Sequence, residues 1–368
     1  MGGIQTYSYE LASRLHRDLA ECTVVAPSHR LAAETDAAAP FRVERCVGSC
    51  DWLPLSSVPT LARLAGSGRI DTTFHAQWQT LPGALMLRKL GMLKRVFVAA
   101  HGRELLLSPF AGSPALQRVY DAQRRRWIQA ADGVFPVSHF TAGLLEQLGV
   151  SAARTRVVSN GTDPEFFRPL PAAEMRERLG VGERRVLLSA GRLTKRKGLD
   201  QVISMLPKIA DQVPDVLFLI IGEGEERESL AAQARDTGVS ERVRFLGQVP
   251  FAELPQYYAV ADVFVTPCRD VGPSVEGFGL VFLEANACGK PVLAGRSGGT
   301  SDALDDGETG FLINPEDGGE LLARAVQLLT DPELRRRMGD AGRRRVLARG
   351  SWDHTSTRLV SAMRELAP

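Results

Sequence analysis

Residues 263–284 read V-F-V-T-P-C-R-D-V-G-P-S-V-E-G-F-G-L-V-F-L-E, and this stretch decides the fold. The apolar run Val263-Phe264-Val265 has the length and composition of a buried strand. A loop carrying Glu276 and the triplet Gly277-Phe278-Gly279 follows, and then a helical stretch to Cys288. Strand, Gly-rich loop and helix in that order form half of a parallel α/β unit.

The same order recurs along most of the chain. Strand-like runs fall at 23–26, 70–74, 95–100, 133–137 and 156–158, and again at 185–190, 216–221, 243–245, 263–266 and 291–293. Amphipathic stretches separate them; Ile4, Tyr7, Leu11, Leu15 and Leu19 recur at steps of three and four, one face of a helix. The turn cluster Asn160-Gly161-Thr162-Asp163-Pro164, with Pro169 and Pro171 close behind, marks a boundary. The expected fold class is therefore α/β with two Rossmann-like domains facing across a cleft. Residues 1–168 form the first domain, 169–350 the second, and 351–368 a last helix that crosses back to the first. The chain opens at Met1-Gly2-Gly3-Ile4 directly into a helix, so the first β-strand of a doubly wound sheet is expected to be missing, from a start further upstream. A natural start at this Met is the other reading.

Composition is that of a soluble globular protein: 44% hydrophobic, 24% charged, net charge +2. That balance does not point to nucleic acid. The runs Arg124-Arg125-Arg126, Arg335-Arg336-Arg337 and Arg343-Arg344-Arg345 lie in helical patterns and read as solvated faces. Five scattered cysteines fit a reduced, cytoplasmic protein. There is no apolar run of about 18 residues and no basic-then-apolar leader, so neither a membrane span nor a secretory signal is expected. No D-x-D pair flanked by a strand and no His/Cys cluster with metal spacing is present, so no metal and no cofactor is required.

Two segments carry chemistry. Glycines at the head of a helix let backbone N–H groups approach an anion, and the helix dipole favours negative charge there. A diphosphate fits that description. Glu284 lies about one and a half turns into the helix, where it can accept hydrogen bonds from sugar hydroxyls, and Glu276 faces the other end of the ligand. The second segment, S-A-G-R-L-T-K-R-K-G at 189–198, follows a strand and puts Arg192, Lys195, Arg196 and Lys197 at its carboxyl end. Such cations hold a departing diphosphate.

Together these residues resemble the family-4 retaining glycosyltransferases, whose E-x7-E signature matches 276–284 and whose G-R-L-x-x-x-K-G pattern matches 191–198. Asn160-Gly161-Thr162-Asp163, Gly222-Glu223-Gly224, Ala287–Val292 read A-C-G-K-P-V, and Gly298-Gly299 extend the resemblance. It implies the GT-B fold and a nucleoside-diphosphate-sugar donor, a GDP- or UDP-sugar. It also implies transfer of a hexose to a sugar or lipid-linked hydroxyl with retained anomeric configuration. By resemblance Arg192 and Lys197 bind the diphosphate, Glu276 lies by the donor sugar, and Glu284 binds the ribose. Gly277, Phe278, Gly279 and Leu280 supply backbone donors, Gly2 and Gly3 lie beside the sugar and phosphate, and His101 reaches the sugar from the first domain. The loop 247–250, with Gly247 and Val249, frames the base. The segment 269–277 is similar to phosphatidylinositol mannoside-type mannosyltransferases, which implies GDP-mannose and a lipid acceptor.

His75, Gln77, Trp78 and Gln79 follow the strand at 70–74 and are acceptor candidates, with a structural turn as the alternative. The stretch 81–93 carries Met86, Leu87, Leu90 and Leu93 beside Arg88, Lys89, Lys94 and Arg95. It reads either as a peripheral contact with the inner face of an anionic membrane or as a packed helix with a basic end. A GT-B-fold epimerase and an inactive sugar-nucleotide binding protein are the other functions compatible with the pattern.

Overall fold

The structure, a computed structural model, describes residues 3–366 other than Ala20, Arg30, Leu31, Cys50 and Ala111. The chain divides into two compact units. One comprises Met1–Asn160 with Trp352–Pro368, the other Gly161–Ser351. The division falls inside the Asn160-Gly161 turn, earlier than the boundary at 168 read from the prolines, because Thr162 already pairs with Ser351 and its N–H donates to the Gly350 carbonyl.

The second unit contains strands that, counted through the whole chain, are β6 (Arg185–Ala190), β7 (Val216–Ile221), β8 (Val243–Gly247), β9 (Val263–Thr266), β10 (Val292–Gly295) and β11 (Gly310–Ile313). All pair in parallel, in the order β11-β10-β9-β6-β7-β8. This is a doubly wound sheet. β7 is buried along its whole length, as expected of a strand covered on both faces. The helix Leu199–Gln212 buries Leu199, Val202, Ile203, Leu206 and Ile209 against one face. Each such side chain contributes about 1.5–3 kcal/mol. The strand order reverses between β6 and β9, so this pair is the topological switch point, the place where doubly wound sheets bind ligands.

In the first unit, β1 (Thr23–Pro27) and β2 (Arg42–Cys46) form one parallel pair. β3 (Thr72–His75), β4 (Arg95–Ala100) and β5 (Gly133–Pro136) form a separate parallel sheet. Among the described residues no strand precedes the helix Gly3–Asp18, which buries Tyr7, Leu11, Ala12 and Leu15. The C-terminal helix Trp352–Leu366 belongs to this unit. Trp352 packs edge-on to Tyr7, Ser356 donates to Asp18, and Arg17 pairs with Asp353 at 2.7 Å. The strand expected at 156–158 is extended chain instead: Arg156 and Val158 N–H groups bond to β5, with one isolated bridge.

Candidate active site

Both motif loops leave the carboxyl ends of the two switch-point strands. β6 runs into Gly191 and the basic loop 192–198, and β9 into 267–279. The loops touch through backbone at Gly198. Its φ is +67°, and a Cβ there would meet the Pro267 carbonyl oxygen at 2.1 Å, so only glycine permits the approach. On the far side, a Cβ on Gly298 would meet the Glu276 carbonyl oxygen at 2.1 Å, and Gly299 N–H donates to that same oxygen. The Glu276 backbone is thus held by the 297–299 segment.

Lys197 is 7% exposed and its Nζ donates to Glu276 Oε2 at 2.8 Å, closing an ion pair across the switch. Arg196 Nη2 stands 3.7 Å from the same oxygen, and Cys268 Sγ–H points to it at 3.8 Å. Burial pushes the Glu276 carboxyl upward, but the Lys197 and Arg196 charges outweigh it and the group ends below the usual range. Burial likewise opposes the Lys197 charge, yet Glu276 beside it leaves the ammonium raised. Burial pushes the Cys268 thiol up to about 12, so it remains a neutral donor.

Glu284, on the helix Leu280–Ala287, accepts a 2.7 Å hydrogen bond from the Tyr258 hydroxyl. Burial pushes its carboxyl up to about 7, while the Tyr258 bond and Lys197 pull it the other way. Burial and Glu284 hold the Tyr258 phenol well above its ordinary value, which keeps it a donor. Phe278 is buried, and Gly279, with φ +99°, is the N-cap from which Leu280 starts the helix. Arg192 is exposed, has no ion-pair partner among the described residues, and lines a small open recess with Gly191, Lys197 and Thr266. Gly247 ends β8 and accepts the Gly222 N–H, and Val249 is half-buried in the loop that follows.

In the first unit, His101 lies just past the carboxyl end of β4. Its Nε2 meets the Ala76 carbonyl at 3.0 Å, its N–H donates to Glu104 Oε1, and its ring packs edge-on to Tyr7. A carbonyl only accepts, so Nε2 carries the proton and Nδ1 is the acceptor. Burial lowers the imidazole pKa, against the pull of Glu104 and Ala76, and the ring is neutral at pH 7. Gly3 is the first residue of the helix Gly3–Asp18; Gly2 lies outside the described residues.

The acceptor candidates separate. His75 is buried with both ring nitrogens on hydroxyls, Thr80 at 2.7 Å and Thr73 at 3.1 Å, and burial lowers its pKa to about 4. Trp78 is 2% exposed, and its indole N–H donates to the Glu104 carbonyl. Both are core residues: His75 ends β3 on the same buried face as Thr73, and the short turn Trp78–Thr80 directs Trp78 inward. Gln77 and Gln79 remain half-buried. Sequence reasoning had assigned no role to Tyr258 and Cys268, which face the two glutamates. Their signal, a Tyr just ahead of β9 and a Cys just after it, is visible only once β9 is known to stand at the switch.

A model described as "Glycosyltransferase Family 4" matches residues 1–166, and one described as "Glycosyl transferases group 1" matches 172–345. The chain belongs to glycosyltransferase family 4; it has the GT-B fold and is a nucleotide-sugar-dependent glycosyltransferase. A GDP-mannose-dependent alpha-(1-6)-phosphatidylinositol monomannoside mannosyltransferase of Mycolicibacterium smegmatis is 36% identical over 98% of this chain and 94% of its own. A GDP-mannose-dependent monoacylated alpha-(1-6)-phosphatidylinositol monomannoside mannosyltransferase of Corynebacterium glutamicum is 30% identical over 99% and 94%. Among solved structures, Anabaena Alr3699/HepE in complex with UDP superposes with a TM-score of 0.80 at 23% identity, covering 99% of this chain and 96% of that one, which bears on the fold alone.

Proposed function

We propose that this chain transfers mannose from GDP-mannose to a hydroxyl of a mannosylated phosphatidylinositol-type lipid, with retention at the anomeric carbon. The observation that carries the reading is the paired carboxylates at the switch point, Lys197–Glu276 and Tyr258–Glu284, in a chain 36% identical throughout to an enzyme named for that donor and acceptor. Arg192 and Lys197 hold the diphosphate, together with the backbone of 277–280 at the helix start. Glu284 accepts from the ribose hydroxyls, the loop with Gly247 and Val249 borders the base, and Glu276 lies by the mannose. The neutral His101 accepts from a sugar hydroxyl through Nδ1, and Gln77 contacts the acceptor.

In the reaction the bond from the anomeric carbon to the diphosphate oxygen breaks. The acceptor oxygen bonds to the same face, and its proton passes to the departing diphosphate. No protein nucleophile is assigned. Charge on the leaving group is met by Arg192, Lys197 and the helix start, so turnover needs no metal and persists in a chelator.

Peripheral membrane contact fits the helix Leu81–Lys89, which leaves Met86, Lys89 and the following Leu90 exposed. Two of the cations beside them are already neutralised, Arg88 by Asp132 and Lys94 by Asp71. The apolar pair therefore carries most of the contact. No helix among the described residues is long and apolar enough to cross a membrane.

The deciding experiment is a thermal-shift screen of the purified protein against GDP-, UDP-, ADP- and TDP-sugars, since a ligand bound only by the fold raises its melting temperature. It is followed by transfer to phosphatidylinositol monomannoside. Stabilisation by GDP-mannose above the other donors, with product formed, supports the reading. Stabilisation by another donor alone rejects the sugar nucleotide assigned here.

A further inference from the structure

Lys197 has two claims on it. It is the near partner of Glu276, at 2.8 Å, and it is also the diphosphate cation under the function proposed above, on which this inference rests. A donor brings two further negative charges to the same loop. Once Lys197 turns to them, Glu276, with its side chain only 12% exposed, needs another counter-ion.

Arg196 is built to be that counter-ion. Its Nη2 is already 3.7 Å from Glu276 Oε2, inside ion-pair reach and beyond a hydrogen bond. Its Nε is buried without a hydrogen-bond partner, which is unusual for a guanidinium nitrogen. Nη1 makes only a long 3.3 Å contact with Thr194 Oγ1. The main chain beneath is fixed, since the Arg196 carbonyl accepts from Arg269 N–H, and the Arg269 side chain is committed to Asp200 at 2.8 Å. Around Glu276 the charged and titratable groups are Lys197 and Arg196 from the loop after β6 and the neutral Cys268 thiol from the loop after β9. The 297–299 segment meets it with backbone.

We propose that Arg196 is a positioning residue for Glu276: when Lys197 engages the donor diphosphate, the Arg196 guanidinium closes onto Glu276 Oε2 and holds that carboxylate beside the transferred sugar. The pair Arg196–Lys197 thus works as two cations shared between two anions, one anion belonging to the protein and one to the substrate.

The test uses Arg196→Gln and Arg196→Lys in the whole chain, with calorimetry of GDP and transfer from GDP-mannose between about pH 3.5 and 9, a window that reaches below the usual carboxylate range where Glu276 titrates. Arg196→Gln should leave GDP binding within about threefold and lower kcat about 10- to 100-fold at pH 7. It should also move the acid limb of the kcat profile upward by about one pH unit, because Glu276 then protonates more readily. Arg196→Lys should restore most of kcat and the acid limb. An unchanged acid limb overturns the proposal. So does a loss of GDP affinity as large as that of Lys197→Met, which would make Arg196 a diphosphate ligand itself. A donor-free arm separates this from failure of the functional reading. In a Lys197→Met background Arg196 is the remaining cation on Glu276, so adding Arg196→Gln should lower the melting temperature at least twice as much as it does in the wild type. Additive shifts overturn the counter-ion role whatever the donor proves to be.

Discussion

Replacing Glu284 by glutamine should make the protein more stable while making it bind nucleotide less well. The Glu284 carboxyl is pushed from an ordinary 4.5 up to about 7 by burial. A folded-state value above the unfolded one means that the native state binds the extra proton. Its stabilisation is therefore complete below pH 4.5 and is lost as pH rises through 7. At about 1.36 kcal/mol per pKa unit, the ionised carboxylate costs the fold about 3 kcal/mol above pH 7.5. Glu284 is only half-buried by accessibility, so water relieves part of that cost and about 1–2 kcal/mol is the expected net effect. Glutamine has no charge to desolvate and still offers a carbonyl oxygen to the Tyr258 hydroxyl. For a unit of this size the melting temperature should rise by roughly 3–6 °C at pH 8, and by almost nothing at pH 5. GDP affinity should fall at the same time, since an amide is a weaker acceptor for ribose hydroxyls. Differential scanning fluorimetry of both proteins across pH 5–8.5, with calorimetry of GDP, reads both effects. A melting difference that is flat with pH, or of opposite sign, refutes the assignment of a desolvated carboxylate at 284.

Tyr258→Phe removes the bond that partly offsets burial at Glu284. Its GDP affinity should improve with pH over a range about one unit higher than in the wild type, as followed by titration calorimetry from pH 6 to 9. Gly198→Ala forces a Cβ into the Pro267 carbonyl and strains a left-handed backbone. Denaturant unfolding should show a loss of about 2–4 kcal/mol, and a change under 1 kcal/mol would mean that the two loops are free to part. Arg192→Ala, an exposed side chain with no ion-pair partner among the described residues, should leave the melting temperature within about 1–2 °C, the size of a neutral surface change. It should nevertheless weaken GDP binding at least tenfold, about 1.4 kcal/mol.

The strands β6, β7, β9 and β10 of the second unit were legible from the sequence because they are buried on both faces. Runs such as V-L-F-L-I-I at Val216–Ile221 have no solvent side to interrupt them. β2, R-V-E-R-C, was missed for the opposite reason: it is paired on one side only and carries three charged residues. β11 was missed because four residues, G-F-L-I, are too few to show a period. The acceptor candidates His75 and Trp78 show the limit of reading polarity near a strand end, since His75 is still within β3 on its buried face and Trp78 is turned inward by a single 3-10 turn. The ion pair Lys197–Glu276 was not legible as a pair. Each residue was readable alone, but their meeting depends on β6 and β9 lying side by side.

That adjacency also bears on how the protein acquires its activity. β6 and β9 are neighbours in the sheet, yet β7 and β8 with their helices intervene in the chain. Pairing them closes a long loop, which is slow compared with forming the local β6–β7 unit. The Lys197–Glu276 pair is therefore expected to form after the local β6–β7 unit. In a refolding experiment, recovery of GDP binding should lag behind recovery of helical circular dichroism. A nascent chain that has not yet emerged through β9 carries the basic loop without the carboxylate that pairs with it.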